Sequence, residues 1–183
     1  MFNERKVAQM AAYLLKKRGG CMAHLKMMKL LYLADREAMA RYGVPISGDR
    51  VVSMDHGPVL SKTLNLMDGD VESSPNGWEE LISDKANYEL SLRRELTDVD
   101  LDELSAADID VLDTVWDQFG KMGRWEIRDY THTLPEWEDP QGSSIPLSHM
   151  KILIALGCTP EAANELCADL EAERAIDKLF ASI

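Results

Sequence analysis

Residues Met22–Tyr42 read MAHLKMMKLLYLADREAMARY, and this stretch decides how the rest of the chain is arranged. Two apolar stripes at helical spacing run through it, Leu25, Met28 and Tyr32 on one, Met27, Leu30, Leu31, Ala34 and Ala38 on the other. Together they cover most of the circumference, and a helix apolar nearly all round belongs inside a core. Lys26, Lys29 and Arg36 form the remaining polar edge, where long stems lie on apolar surface while the charges stay in water. Asp35 falls among the apolar positions and needs a partner if buried, because an unpaired carboxylate there is costly. Gly43 suits the left-handed position just past the helix end, and Pro45 cannot extend it. The segment is expected to be the central and most buried helix.

Upstream, Asn3 caps a first helix whose inward positions are Val7, Met10, Ala11, Leu14 and Leu15. Lys16, Lys17 and Arg18 complement the dipole at its carboxyl end, a cap rather than a nucleic-acid patch, and Gly19-Gly20 stops it. Downstream, Ser47-Gly48-Asp49 is turn chemistry and Arg50–Met54 offers a short strand. Gly57-Pro58 opens another helix, with Val59, Leu60, Thr63, Leu64 and Met67 inward. The polar span Val71–Asn87 is a loop with one helical turn, anchored by Trp78, Leu81 and Ile82. Tyr88–Leu96 alternates as a strand does, and its expected partner is Arg50–Met54.

Ser105 and Asp108 make a capping box before a helix that buries Ile109, Leu112, Val115, Trp116 and Phe119. After a break at Gly120–Gly123, Trp125–Tyr130 starts a further helix. Pro135 and Pro140 confine the next residues to turns. Pro146 with Ser148 begins a helix over His149–Leu156. Thr159-Pro160 starts the last one, which runs to Phe180 with Ala163, Leu166, Leu170, Ile176, Leu179 and Phe180 inward. The fold class is therefore mainly α. The expected architecture is a single compact helical domain spanning residues 1–183, with a small two- or three-stranded antiparallel sheet packed on it.

The formal charge of −12 is unevenly spread. Residues 1–50 carry ten Lys/Arg against four Asp/Glu, whereas the remainder carries ten against twenty-eight. Between Glu95 and Asp117 there are nine acids and no base. The carboxylates Asp98, Asp100, Asp102, Glu103, Asp108 and Asp110 in this span are a candidate acidic surface, one that disfavours non-specific nucleic-acid binding and steers a cationic protein toward it. A solvated face that keeps the protein soluble is the plainer reading of the same residues. The three cysteines, Cys21, Cys158 and Cys167, lack CxxC spacing and read as buried or half-buried free thiols in a reducing compartment. With no apolar run of membrane-spanning length and no leader pattern at the N-terminus, the expected location is the cytoplasm.

Catalytic patterns are missing. There is no GxSxG, no phosphate-cradling glycine loop, and no HxxxH pair among His24, His56, His132 and His149. A metal site assembled in space from His56, His132 and carboxylates is the enzyme alternative, a metal-dependent hydrolase. The favoured reading is non-enzymatic, with no cofactor and no metal. Tyr130-Thr131-His132, flanked by Trp125 and Trp137, admits two readings. Either the aromatics form an exposed platform for a protein partner, or Thr131 and His132 bond the following turn while Trp137 fills the core.

KLLYLAD (Lys29–Asp35), the strand ending in DHGPV (Asp55–Val59) and YTHTLPEW (Tyr130–Trp137) occur in the order seen in the Panacea domain of SocA-type antitoxins, which the chain resembles from about Val7 to Trp137. The resemblance implies an antitoxin that neutralises a partner toxin by direct protein contact, the toxin often being encoded beside it. It also implies that such a chain can present the toxin to a cytoplasmic protease, or serve as a regulatory binding protein of the phage-associated kind. No appended DNA-binding domain is evident, and neither nucleic acid nor membrane is an expected partner. Asp55, His56, Trp125, His132 and Trp137 are the candidate partner-binding residues.

Overall fold

The computed structural model describes residues 1–83 and 87–180, apart from the side chains of Asp98, Arg174, Asp177 and Lys178. In chain order its elements are α1 (Glu4–Arg18), β1 (Cys21–Ala23), α2 (His24–Tyr42), β2 (Val51–Met54), β3 (Gly57–Leu60), α3 (Ser61–Asp68), α4 (Trp78–Leu81), β4 (Glu89–Ser91), a 3₁₀ turn (Asp98–Leu101), α5 (Ala106–Phe119), α6 (Arg124–His132), β5 (Ile145–Leu147), α7 (His149–Ala155) and α8 (Pro160–Phe180). The architecture is mainly helical with small antiparallel sheets.

Helix α2 is the hub, packing against α1, α5, α6, α7, β1 and β3. Twelve of its nineteen residues are buried, which is what its two apolar stripes demand. It stops at Gly43, whose φ of 77° places it in the left-handed region, with its N–H returned to the Met39 carbonyl. The starts of α1 and α5 also follow from their sequences. Asn3 Oδ1 accepts the Lys6 N–H at 3.0 Å, and Ser105 and Asp108 close a reciprocal capping box at α5.

The polar edge of α2 does not stay in water. Lys29 is completely buried and Lys26 nearly so, each holding its ammonium on backbone carbonyls rather than on solvent. The neighbouring elements close over this part of α2, and the carbonyls of Gly120, Met122 and Pro58 replace the water. Asp35 finds the partner its burial requires: the Ser47 N–H donates to Oδ1 at 2.8 Å and the Ser47 hydroxyl donates to Oδ2. Burial nonetheless pushes the Asp35 carboxyl up to about 6.

The strand pairing differs from the sequence expectation. β4 pairs with β1, Met22 opposite Leu90, while β2 lies between β3 and β5 in a separate antiparallel sheet. Pro58 sits in β3 and not in a helix, and Pro146 sits in β5. Both prolines fall on edge strands, where the missing N–H deprives no neighbour of a bond. The helix expected at Pro58 begins three residues later, at Ser61.

At the carboxyl end, Thr159 caps α8 as expected and Ala163 and Leu170 are buried. Ile176, Leu179 and Phe180 are exposed, contrary to expectation, because α8 packs on α7 with its first half only. Cys21 is exposed instead of buried or half-buried, while Cys158 and Cys167 are half-buried. No helix among the described residues is long and apolar enough to cross a membrane.

Candidate functional site

Two of the lysines of α2 organise the main cavity. Lys26 Nζ donates to the carbonyls of Gly120 at 2.6 Å and Met122 at 2.8 Å, which fastens the α5–α6 connection to α2. Lys29 Nζ donates to the Pro58 carbonyl at 2.7 Å, which fastens the β2–β3 hairpin. Between these two attachments lies a pocket of about 630 Å³. Its apolar lining comes from Leu25 and Met28 of α2, Met54 and Val59 of the hairpin, and Leu64 of α3. Its polar lining is His24, Lys29, Asp55, His56, Asp68 and Arg124, and the aromatic rings of Tyr88 and Trp125 stand at its mouth.

The walls are braced from behind. The Trp137 indole stacks flat on the His132 imidazole, centroids 4.0 Å apart, and its N–H reaches the Met54 carbonyl at 3.4 Å. Asp55 Oδ1 accepts the Gly142 N–H at 2.9 Å and ties the segment before β5 to the hairpin turn. The His56 ring meets the Trp125 ring edge-on, centroids 6.0 Å apart. Arg124 and Arg128 both lie over the Trp125 ring, at 5.5 Å and 5.2 Å. Below, Glu136 is completely buried and accepts from Tyr32 at 2.7 Å and from Arg36 at 2.6 Å, so YTHTLPEW is pinned to α2 by its glutamate.

Electrostatics follow from burial. Lys29 is pushed down to about 7, by desolvation first and the nearby Arg128 charge second. His132 is held below its ordinary value by burial and by Arg128 and Lys29. Its Nε2 is enclosed without a hydrogen-bond partner among the described residues, and the stacking on Trp137 is what holds the ring.

Gly57 is where the hairpin touches α6. Its φ is +88°, and a Cβ there would lie 2.6 Å from Thr131 Oγ1 and 3.2 Å from Lys29 Nζ. The left-handed backbone and the close approach both require glycine. Gly57→Ala is expected to cost about 3 kcal/mol of unfolding free energy in a urea titration. A cost below about 1 kcal/mol would mean that the hairpin moves freely away from α6.

Of the expected contact residues, Asp55, His56 and Trp125 line the pocket, and His132 and Trp137 form the bracing stack behind it. Trp125 is 50 % exposed, an open aromatic face, while Trp137 is half-buried. Thr131 Oγ1 donates backwards to the Arg128 carbonyl of its own helix rather than to the following turn. His56 and His132 are each engaged with a tryptophan, and no three His, Cys, Asp or Glu side chains among the described residues converge in a way that could hold a metal. Lys29 and Arg124 belong to the pocket but were not among the expected site residues. Lys29 could have been singled out as a cation set between two apolar stripes.

The acidic span lies elsewhere, against the basic first helix. Asp102 accepts from Arg5 at 2.7 Å and from Gln9, and Glu103 accepts from Asn3 at 2.9 Å. Asp108 pairs with Lys6 at 2.9 Å and Asp110 with Arg41 at 2.5 Å. Asp100 pairs with Arg94 at 2.6 Å and caps Thr97, which holds its carboxyl well below the usual range. The Asp98 side chain lies outside the described residues. The described carboxylates of this candidate surface are thus each paired inside the molecule. Exposed pairs of this kind add little to stability, because solvent screens them.

The sequence model of the family described as "Antitoxin SocA-like, Panacea domain" matches residues 27–138, a span running from α2 through the stacked His132 and Trp137. No curated protein and no solved structure matches the chain. The match includes the pocket-lining residues from Met28 to Trp125, though not His24, Leu25 or Gly142, and covers more than half of the chain, so this protein belongs to the SocA-like antitoxin family.

Proposed function

We propose that this chain is an antitoxin that neutralises a protein toxin by direct contact, using the face around the pocket. Family membership carries the reading. Three physical features support the choice of face. It presents Tyr88, 72 % exposed, and Trp125 beside Arg124, the residue types that most often anchor protein interfaces. It is preformed, held by Lys26, Lys29 and the His132–Trp137 stack, so little ordering entropy is lost on binding. Asp55, His56 and Val59 of its wall, and the His132–Trp137 stack that braces it from behind, lie in the segments that also carry the family pattern. The acidic span is left out of the contact face because Arg5, Lys6, Arg41 and Arg94 already engage its carboxylates.

The toxin is proposed to be encoded beside this chain, and a second role as adaptor to a cytoplasmic protease is compatible with the same face. The test is co-expression. Each product of the adjoining open reading frames is induced alone and with this chain, and growth and co-purification are scored. The expected result is one product that arrests growth alone, is harmless with this chain, and is recovered with it. If none of the adjoining products is toxic or recovered with the chain, the adjacent-toxin reading falls.

A further inference from the structure

We propose that the pocket between the β2–β3 turn and the amino ends of α2 and α6 receives a bulky apolar side chain of a partner polypeptide, with a carboxylate next to that side chain meeting Arg124. This deepens the reading above and rests on it for the identity of the natural partner.

The apolar half of the argument is shape and lining. About 630 Å³ is more than one side chain requires and suits a short segment with one buried anchor. The interior surface is methionine, leucine and valine, and methionine adapts to side chains of different outline. Trp125 and Tyr88 at the mouth supply the ring faces against which such an anchor closes.

The charged half comes from which cations are answered. Arg5, Lys6, Lys17, Arg36, Arg41, Arg94 and Lys151 all reach carboxylates. Arg124 reaches none among the described residues: it lies over Trp125, on the wall shared by this pocket and the smaller cavity beside it, which Arg18 and Lys26 also line. The nearby acids Asp55, Asp68, Glu89 and Glu126 keep their charge but are each held by a group other than Arg124, Glu126 by the Gly123 N–H at 3.1 Å. Asp68 lies 3.5 Å from His24, Asp55 accepts from Gly142, and Glu89 from the Cys21 thiol. Helix α2 adds to the same sign, since it opens at this mouth with no side-chain cap and no acid in its first turn. In a chain of net charge −12, the Arg124 guanidinium at this mouth offers a partner's carboxylate a paired, charge-assisted hydrogen bond.

The first probe is the peptide Ac-Gly-Asp-Phe-Asp-Gly-NH₂, with one counterpart carrying Asn for both Asp and another carrying Ser for Phe. Binding is read from the indole N–H resonance of Trp125 in isotopically labelled protein. The expected result is a saturable shift with the Asp-Phe-Asp peptide, at least fivefold weaker binding of the Asn form, and no shift with the Ser form. Arg124→Glu should abolish the difference between the Asp and Asn peptides. No shift at Trp125, or equal binding of all three peptides, overturns the proposal.

The second arm uses any toxin neutralised in co-expression. Trp125→Ala and Arg124→Glu, both at the surface and expected to melt like the parent, should each raise Kd at least tenfold. If both variants bind that toxin as tightly as the parent, the pocket is not the docking site although the antitoxin reading stands. If no toxin is found, that reading falls alone, and the peptide titration still decides what the pocket takes.

Discussion

Asp49→Ala is expected to lower the unfolding free energy by about 4 kcal/mol. The Asp49 carboxylate is 1 % exposed and accepts from the Arg50 N–H at 2.7 Å, the Lys62 N–H at 3.1 Å, and both the N–H and hydroxyl of Thr63 at 2.8 Å. It acts as the amino-terminal cap of α3 from a distance, since Leu60, the residue at the cap position, offers no side-chain acceptor. Loss of a cap costs about 1 kcal/mol, and each buried donor left unpaired costs roughly 1–3 kcal/mol more. Asp49→Asn keeps one acceptor oxygen and should lose about half as much. Urea unfolding of both variants checks this, and a loss below about 1 kcal/mol for Asp49→Ala would show that water replaces the carboxylate. Because α3 carries Leu64 and Asp68 into the pocket, the Ala variant should also bind its partner less well.

The second large effect is a pH dependence set by Lys29. Its ammonium is pushed down to about 7 in the folded chain, against an ordinary value of 10.5, so the unfolded chain binds that proton more tightly. Stability therefore rises with pH between about 7 and 10.5 through this group, and the contribution is unfavourable and flat below that window. From pH 7 to pH 9 the gain amounts to about 2 kcal/mol. Lys29→Met removes the titrating group and keeps most of the volume. It should be at least as stable as the parent at pH 7, with the difference moving by about 2 kcal/mol in the parent's favour by pH 9. A difference that stays constant across that range would mean that Lys29 is solvated in the folded protein. Taking the difference between the two proteins cancels the contributions of groups that both share.

Most of the helices were announced by local chemistry, Gly57-Pro58 being the start signal that the fold overturned. Asn3, the Ser105–Asp108 box, Gly43 and Thr159 act within one turn of where they stand, so reading them needs no knowledge of the tertiary structure. The strands were less legible because they are three or four residues long, too short for alternation to identify a partner. β4 therefore looked suited to β2, whereas Cys21–Ala23, its actual partner, reads as a helix stop and the start of the central helix. At Gly57-Pro58 two rules competed, proline at the first turn of a helix and proline on an edge strand, and only the sheet order chose between them.

The candidate site was half legible for the same reason. Asp55, His56 and Trp125 stood out as turn and aromatic residues and do meet at one pocket. Lys26 and Lys29 looked like a wet edge, since nothing local tells that the carbonyls of Gly120, Met122 and Pro58 will surround them. The acidic span looked like a docking face because its counter-charges lie far away in sequence, as with Arg5 and Asp102.

The most direct measurement is a titration of the purified toxin with this chain in a toxin activity assay, with the complex sized by light scattering. Neutralisation by contact predicts activity falling linearly to zero at a fixed stoichiometric ratio, with a complex of that composition in solution. It also predicts that Trp125→Ala shifts the curve to higher concentrations. Toxin that stays fully active while bound, or that is silenced by catalytic amounts of the chain with no complex formed, would contradict it.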